Sequence, residues 1–332
     1  MKTRLVVVAL VFLFVSSIVE GDIRVVSYNT HYCSADMEAM NVVIDGASLD
    51  DSHGESIPVS IFMFQEVKSG AQKTLHGLVG ETYSMATYTN AGESGGAQAM
   101  FFESTQFEEK EDDHEDIFTG ATRNADRWHL VGIGKQEGID LWVYSAHLKA
   151  SKGNENKLQR EAGAKAILED IATLKKDSHV IVAGDMNFYT IKEPAYILFT
   201  ASLVDPLGTD EWAGTDDASK HTQSPRKIRK GGLASGGMDD RFDFQFISSS
   251  LADGKGLDII EGSYHAMGND GTHYDIAIND GDNSCFDGDT DRSNLLAQAL
   301  HDASDHIPVI VDFEVIVVDA GDKTVGAGVF NK

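Results

Sequence analysis

Residues 180–187, VIVAGDMN, pass from four apolar residues through alanine-glycine turn chemistry into a carboxylate and an amide within eight positions. A short run rich in β-branched residues suits a strand buried on both faces. A strand end is also a rigid place to hold a reacting group. The same pattern recurs on either side. VVSY (25–28) ends in Asn29, IFMFQ (61–65) in Glu66 and LWVYSA (141–146) in His147. Asp243 opens DFQFI after Arg241, and Asp305 and His306 precede IPVIVDF (307–313). The pattern predicts strands at Ile23–Tyr28, Ile61–Phe64, Ala99–Phe102, Leu141–Ala146, Val180–Ala183, Phe242–Ile247 and Ile307–Phe313.

Helical stretches lie between these runs. Asn154 reads as the N-cap of a helix reaching about Lys176, with Leu158, Ala162, Ile167, Ile171 and Leu174 on one apolar face. Glu193–Ala201 and Asp291–Asp302 are shorter helical candidates. Strands and helices mixed in this way predict an α/β fold, with sheets packed inside an outer helical layer. No internal repeat and no Pro- or Ser-rich linker interrupts the chain, which predicts one domain over 22–316 and a C-terminal tail over 317–332.

The first 21 residues read as a secretory leader. Lys2 and Arg4 precede an apolar run from Leu5 to Ile18, and Val19 and Gly21 hold the −3 and −1 positions of a cleavage point before Asp22. That run is shorter than the roughly 20 residues a membrane span needs. Two cysteines, Cys33 and Cys285, are too few for a disulfide scaffold or a zinc–thiolate site; pairing and free thiols both remain open.

The chain of 332 residues carries 27 Lys+Arg against 53 Asp+Glu, a formal charge of −26, and loss of the leader makes it one unit more negative. A hydrophobic fraction of 42% is enough to fill a core. The acidity excludes capture of nucleic acid by a general positive field. Attraction of a polyanion would have to come from a metal or a local basic patch. Phe107–Asp116 (FEEKEDDHED) reads as a solvated hairpin or loop. Asp280–Arg292 (DGDNSCFDGDTDR) offers oxygen ligands but lacks EF-hand spacing, and so reads as a flexible loop.

The residue types at the strand ends suggest chemistry. Hard carboxylates without thiolates suit Mg²⁺, Mn²⁺ or Ca²⁺. Two imidazoles with carboxylate neighbours suit general acid–base work. There is no nucleophile elbow and no phosphate-binding P-loop, so a water nucleophile is the natural choice.

Together the segments VVSYNT, FQEV, SAHLKAS, GDMN, DDRFDF and SDHIPV, in this order, resemble the endonuclease/exonuclease/phosphatase superfamily, the group with the DNase I-like fold. The match looks closest to its secreted bacterial members. The resemblance implies a four-layer α/β sandwich of two packed, mostly antiparallel sheets flanked by helices, with the active site at one edge. It also implies roles. Glu66 would bind a divalent metal, Mg²⁺ first with Mn²⁺ or Ca²⁺ as alternatives, with Asn29 and Asp305 nearby. Asn187 and His147 would hold the scissile phosphate, and Asp185 would orient or activate water. His306 would be the general acid–base residue, oriented by Asp243.

Arg226, Lys227, Arg229 and Lys230 form the densest basic run of this acidic chain, just before DDRFDF. They are candidates for contact with a polyanionic substrate, as is Arg123. His273, in GNDGTH (268–273), is a candidate either for substrate contact or for loop packing. The sequence reading is an exported, metal-dependent phosphodiesterase acting on DNA. A sphingomyelinase-like or phosphomonoesterase activity is the alternative within the same superfamily. A noncatalytic Ca²⁺-binding or adhesion protein is the alternative from another class.

Overall fold

Every residue of the first strand, Ile23–Asn29 (β1), is buried, as a strand covered on both faces must be. The computed structural model describes residues 22–90, 95–120 and 123–316. After β1 come Met37–Leu49 (α1), Val59–Val67 (β2), Ala71–Val79 (α2), Tyr83–Met85 (β3), Ala97–Glu103 (β4) and Phe107–Glu109 (β5). Glu115–Phe118 (β6), Asn124–Gly132 (β7), Asp140–His147 (β8), Asn154–Ile171 (α3), His179–Asp185 (β9) and Pro194–Ser202 (α4) follow. The chain continues through Asp243–Ile247 (β10), Gly256–Ile259 (β11), His265–Ala266 (β12), Thr290–Ala303 (α5) and Val309–Ile316 (β13).

The strands form two sheets. One runs β11-β13-β1-β2-β4-β3, with β12 also on β13; the other runs β10-β9-β8-β7-β5, with β6 also on β7. Among the described strands, β1–β2 and β8–β9 pair in parallel and the other pairs are antiparallel. Alternation along the strands separates three apolar layers. Val25, Met63 and Met100 face Trp128, Val143 and Ile181 between the sheets. Val26, Phe62 and Phe64 point outward onto Met40, Val43 and Ile44 of α1 and Leu296 and Leu300 of α5. Tyr144, Val182, Phe244 and Phe246 pack under Ala164 and Ile167 of α3 and Tyr196 and Phe199 of α4. The result is the expected helix–sheet–sheet–helix sandwich.

The helix expected at 154–176 is real but differs in detail. Gly153, at φ 112°, occupies the N-cap position, Asn154 is the first helical residue, and the helix ends at Ile171. Leu158 is 57% exposed, so the expected apolar face is displaced. Arg160, Gly163, Ala164 and Ile167 are the buried positions. The Arg160 guanidinium donates to Glu193 Oε1 at 2.9 Å and Oε2 at 3.0 Å, and to the carbonyls of Lys149 and Ser151. A bidentate pair with its remaining donors satisfied can occupy an interior position that an apolar-periodicity reading assigns elsewhere. Leu158→Lys is therefore expected to change unfolding free energy by less than about 0.5 kcal/mol, as at an ordinary surface position. Urea denaturation checks this, and a loss of several times that size would restore the original face.

The acidic stretch is not a hairpin on itself: β5 and β6 lie one after the other along the same partner, β7, as an interrupted strand. The 280–292 stretch is tied down rather than loose. Asn283 is buried and donates to Gly268 O at 3.0 Å, while Asp289 caps α5 by accepting the Arg292 N–H at 3.1 Å. Cys33 and Cys285 are free and half-buried. The leader at 1–21 and the tail at 317–332 lie outside the described residues. Among the described residues, no helix is long and apolar enough to cross a membrane.

Candidate active site

The strand directions bring the polar ends to one edge. β1 and β2 run parallel, with Asn29 ending β1 and Glu66 one residue before the end of β2; β8 and β9 run parallel and place His147 opposite Asp185. β10 runs against β9, so its first residue, Asp243, also faces Asp185. β13 runs against β1, which brings Asp305 and His306, just before its start, to the same place. Six separate segments thus converge because each carries its polar residue at the end its strand direction selects.

Two local distortions aim side chains inward. The β2–β4 register breaks between Phe64 and Val67, and Glu66 sits in this bulge at φ 59°. Asn187, just beyond β9, is also left-handed at φ 52°. Its side-chain N–H groups reach Asp185 Oδ1 at 2.8 Å and Leu148 O at 3.3 Å, while its backbone N–H reaches the same Asp185 oxygen at 3.1 Å. Asn187 therefore holds Asp185 in place.

Asn29 behaves in a related way. Its amide nitrogen lies 3.2 Å from Glu66 Oε1 and 3.2 Å from Asp185 Oδ2, and its oxygen accepts the His31 N–H at 3.1 Å. It presents a donor to two carboxylates rather than an oxygen to a metal. The Ser304 hydroxyl donates to Asn29 O at 2.7 Å and fixes the end of β1 to the segment before β13.

The two imidazoles have opposite surroundings. His147 lies with Nε2 3.2 Å from Asp185 Oδ2 and Nδ1 3.6 Å from Glu66 Oε1. Burial, with the positive charges of Arg123, His306 and Lys149, pushes its pKa well down and keeps the ring neutral. Burial also opposes charge on His306, but the Asp243 and Asp185 carboxylates outweigh it and raise that pKa well above the ordinary imidazole value. His306 Nδ1 is 2.7 Å from Asp243 Oδ2, which also accepts the Thr222 hydroxyl at 2.6 Å. Nε2 looks into the cavity, 3.6 Å from Asp185 Oδ2 and 2.6 Å from the Gln223 side-chain nitrogen, so when Nε2 carries a proton the Gln223 amide must present its oxygen instead. Asp185 is pushed up to about 7 by burial, reinforced by Asp243 and Glu66 against the pull of His306 and Arg123.

Glu66, His147, Asp185, Asn187, Asp305 and His306 line a cavity of about 400 Å³ that also includes His31, Tyr32 and Gln223, which the sequence reading did not single out. The available signal was the polar run THY (30–32) directly after the Asn29 strand end. Arg123 lines the same cavity, with its guanidinium donating to His147 O at 3.3 Å and Leu148 O at 3.2 Å. The basic run divides. Arg229 is exposed and lines the cavity; Lys230 lines a neighbouring groove. Lys227 is paired with Asp275 at 2.6 Å, and Arg226 is buried and bonded to His301 O. Asp243 does not pair with Arg241, which is buried against Asp205 at 2.8 and 2.9 Å. His273 is buried outside the cavity, paired with Asp270 at 2.8 Å, which selects the loop-packing reading.

Glu66 Oε2, His147 Nδ1, Arg123 Nε and Asp243 Oδ1 are buried without a hydrogen-bond partner. Glu66, His147 and Asp185 bring ligand atoms close enough to share one ion, as do Asp185, Asp243 and His306. The donors are carboxylate oxygens and imidazole nitrogens, and they fit a hard or borderline divalent cation.

TDP2 from D. rerio, solved with a single-strand DNA product, superimposes with a TM-score of 0.58, covering 89% of this chain and 99% of that one at 15% identity. An endonuclease/exonuclease/phosphatase from Bacteroides vulgatus aligns at TM-score 0.56, with 90% and 100% coverage and 14% identity. The chain has the endonuclease/exonuclease/phosphatase fold. A mannosyl-6-phosphatase from Bacteroides thetaiotaomicron shares the endonuclease/exonuclease/phosphatase architecture at TM-score 0.55, with 88% and 99% coverage and 16% identity. No protein-family model and no curated protein matches the sequence.

Proposed function

We propose that this chain is an exported, divalent-metal-dependent phosphoester hydrolase that uses water as nucleophile, with DNA as the first substrate to test. The observation that carries this reading is the convergence of Glu66, His147, Asp185, Arg123 and His306 on one cavity, with Asp243 behind His306 at 2.7 Å. The leader-like residues 1–21 support export.

Glu66 would hold the cation, with Asp305 beside it, and a bound cation would supply Lewis-acid neutralisation of the phosphoryl oxygens. His147, kept neutral, offers a hydrogen bond without repelling the cation. Arg123 supplies fixed positive charge for a phosphoryl oxygen, and its free Nε is suited to that contact. Asp185, clamped by Asn29 and Asn187, is placed to orient water and take its proton. His306, held by Asp243, keeps a proton at Nε2 for the leaving oxygen.

DNA is favoured by the aromatic–cation pairs Tyr32–Lys68, at 3.8 Å, and Tyr189–Lys152, at 5.0 Å, since a strand offers both bases to stack and phosphates to neutralise. The neighbour solved with single-strand DNA product supports the same choice. A phosphomonoester is the second reading. It is supported by the sugar-phosphatase neighbour.

A hydrolysis panel of single- and double-stranded DNA, RNA, sphingomyelin and sugar phosphates, with and without Mg²⁺ or Mn²⁺, tests the reading. The lipid arm is included because Ile228, on the basic loop, is 80% exposed. Metal-dependent cleavage of DNA supports the proposal; no phosphoester cleavage with any cation overturns it. Arg123→Gln is expected to raise KM for DNA about tenfold and flatten its salt dependence, as loss of one phosphate contact should. An unchanged KM and salt slope would remove Arg123 from the substrate site.

A further inference from the structure

Residues 224–237 contain the basic run and no strand or helix, yet they close on themselves. The Ser224 N–H donates to Gly237 O at 2.7 Å, and Arg226 O accepts the Gly236 and Gly237 N–H groups, each at 3.2 Å. Further out, Lys230 O accepts the Leu233 N–H at 3.2 Å, with Gly231 and Gly232 turning the chain at φ 66° and 93°. The loop forms part of the cavity wall through Arg229, Gly232, Ala234 and Ser235. Arg229 is exposed there, and no carboxylate among the described residues pairs with it.

Ala234 ties this wall to the catalytic edge. Its N–H donates to Asp305 Oδ2 at 2.6 Å, a short charge-assisted bond to a buried carboxylate. Its carbonyl accepts the Ser224 hydroxyl at 3.1 Å, so both backbone groups of Ala234 are held. The other oxygen of Asp305 lies 3.4 Å from His31 Nδ1. Among the described residues, the groups whose ligand atoms come together for one ion are Glu66–His147–Asp185 and Asp185–Asp243–His306, and Asp305 belongs to neither. One side of its carboxylate is engaged by the loop and the other faces an imidazole. That arrangement suits holding chain better than holding a cation.

We propose that Asp305 is a positioning residue: it clamps the 224–237 loop against the cavity so that Arg229 meets a phosphate of the substrate strand, and it is not a ligand of the cation. The proposal rests on the reading of this site as a DNA phosphodiesterase; the action of Asp305 through Arg229 is the new element. Asp305 directly precedes His306, so the segment that presents the acid–base imidazole also sets the loop. Substrate grip and chemistry then share one anchor.

The test compares wild type, Asp305→Ala, Asp305→Asn, Arg229→Ala and the Asp305→Ala/Arg229→Ala double variant, with thermal melts to confirm folding. Asp305→Ala is expected to speed hydrogen exchange at the Ala234 amide by at least about tenfold, whereas Asp305→Asn keeps an acceptor oxygen and keeps the protection. Asp305→Ala and Arg229→Ala should each raise KM for a single-stranded oligodeoxynucleotide about tenfold and flatten its salt dependence by about one phosphate contact. The double variant should lose no more than either single one, because both remove the same contact. In Mg²⁺ titrations of the metal-free chain, both Asp305 variants should stay within about threefold of wild type, while Glu66→Gln weakens binding at least about tenfold. Ala234→Pro deletes the same bond from the loop side, and should reproduce the KM and salt effects even if Asp305→Ala does not fold.

Loss of Mg²⁺ affinity in Asp305→Asn as large as in Glu66→Gln would make Asp305 a cation ligand and overturn the inference, while the hydrolase reading stands. Unchanged Ala234 exchange in Asp305→Ala, or KM effects that add in the double variant, would overturn it equally. If wild type cleaves no DNA with any cation, the inference and the DNA reading fail together.

Discussion

If the proposed hydrolase reading holds, replacing His306 with alanine is expected to lower kcat for phosphoester cleavage by about 10³–10⁴-fold, the upper range for loss of a positioned general acid–base group. The expectation follows from what holds the ring. Nδ1 faces Asp243 Oδ2 at 2.7 Å, and that carboxylate is itself fixed by the Thr222 hydroxyl at 2.6 Å. The ring cannot turn without breaking the first of these bonds, so the proton at Nε2 stays aimed into the cavity. Asp243→Asn keeps the shape but removes the charge, and is expected to cost about 10–100-fold, as loss of an orienting partner usually does.

The pH profile separates the two roles. Burial disfavours the His306 imidazolium, but Asp243 and Asp185 raise its pKa well above 6.5. The acid form therefore persists as pH rises through the ordinary histidine range and is lost only above it. A rate limited by that proton should show its basic limb above pH 6.5, and Asp243→Asn should move the limb down. The same raised pKa stabilises the fold most below the unfolded value and loses that contribution as pH rises through the folded one. Undiminished turnover by His306→Ala, with an unchanged melting temperature, would remove the residue from the chemistry.

Much of this site could be read from the sequence because each polar residue adjoins an apolar strand that fixes its direction. Asn29, His147 and Asp185 close their strands, Glu66 stands one residue before the end of its own, and Asp243 opens one; the register then brings them together. What could not be read depends on how charges are used once the chain has folded. Arg226 and Arg229 look alike in RKIRK, yet one guanidinium is spent on a carbonyl at the end of α5 and the other faces the cavity. Arg160 interrupts an apolar pattern, and only its partner Glu193, brought alongside by the α3–α4 packing, allows it to be interior. Asn29 stands where a metal ligand was expected and Asn187 where a phosphate contact was, but their amide hydrogens reach carboxylates. The left-handed turn at 31–33 has no glycine to announce it.

Gly184→Ala is expected to do the greatest damage of any single methyl group added near the site. Gly184 has φ 133°, a conformation that residues with a side chain rarely adopt, and a Cβ built there would fall 2.0 Å from Ala146 O. That oxygen belongs to the neighbouring parallel strand, so β8 and β9 must separate or twist apart. The next register pair along is His147–Asp185. The clash is therefore transmitted directly to two cavity groups whose ring-to-carboxylate contact is 3.2 Å. Backbone strain and overpacking together should cost about 3–4 kcal/mol of stability. Even a partial displacement of order 1 Å should lower kcat/KM by about 10²-fold. Gly254→Ala provides the control, because that glycine has φ 75° but nothing within 4 Å of the added carbon. Its cost should be confined to backbone conformation, about 1–2 kcal/mol, with activity unchanged. Thermal melts and kcat/KM measured on both variants decide the matter. Equal loss of activity in the two would mean that the glycine in GDMN serves the turn alone, whereas a deficit confined to Gly184→Ala shows that close approach of β8 and β9 sets the geometry of the site.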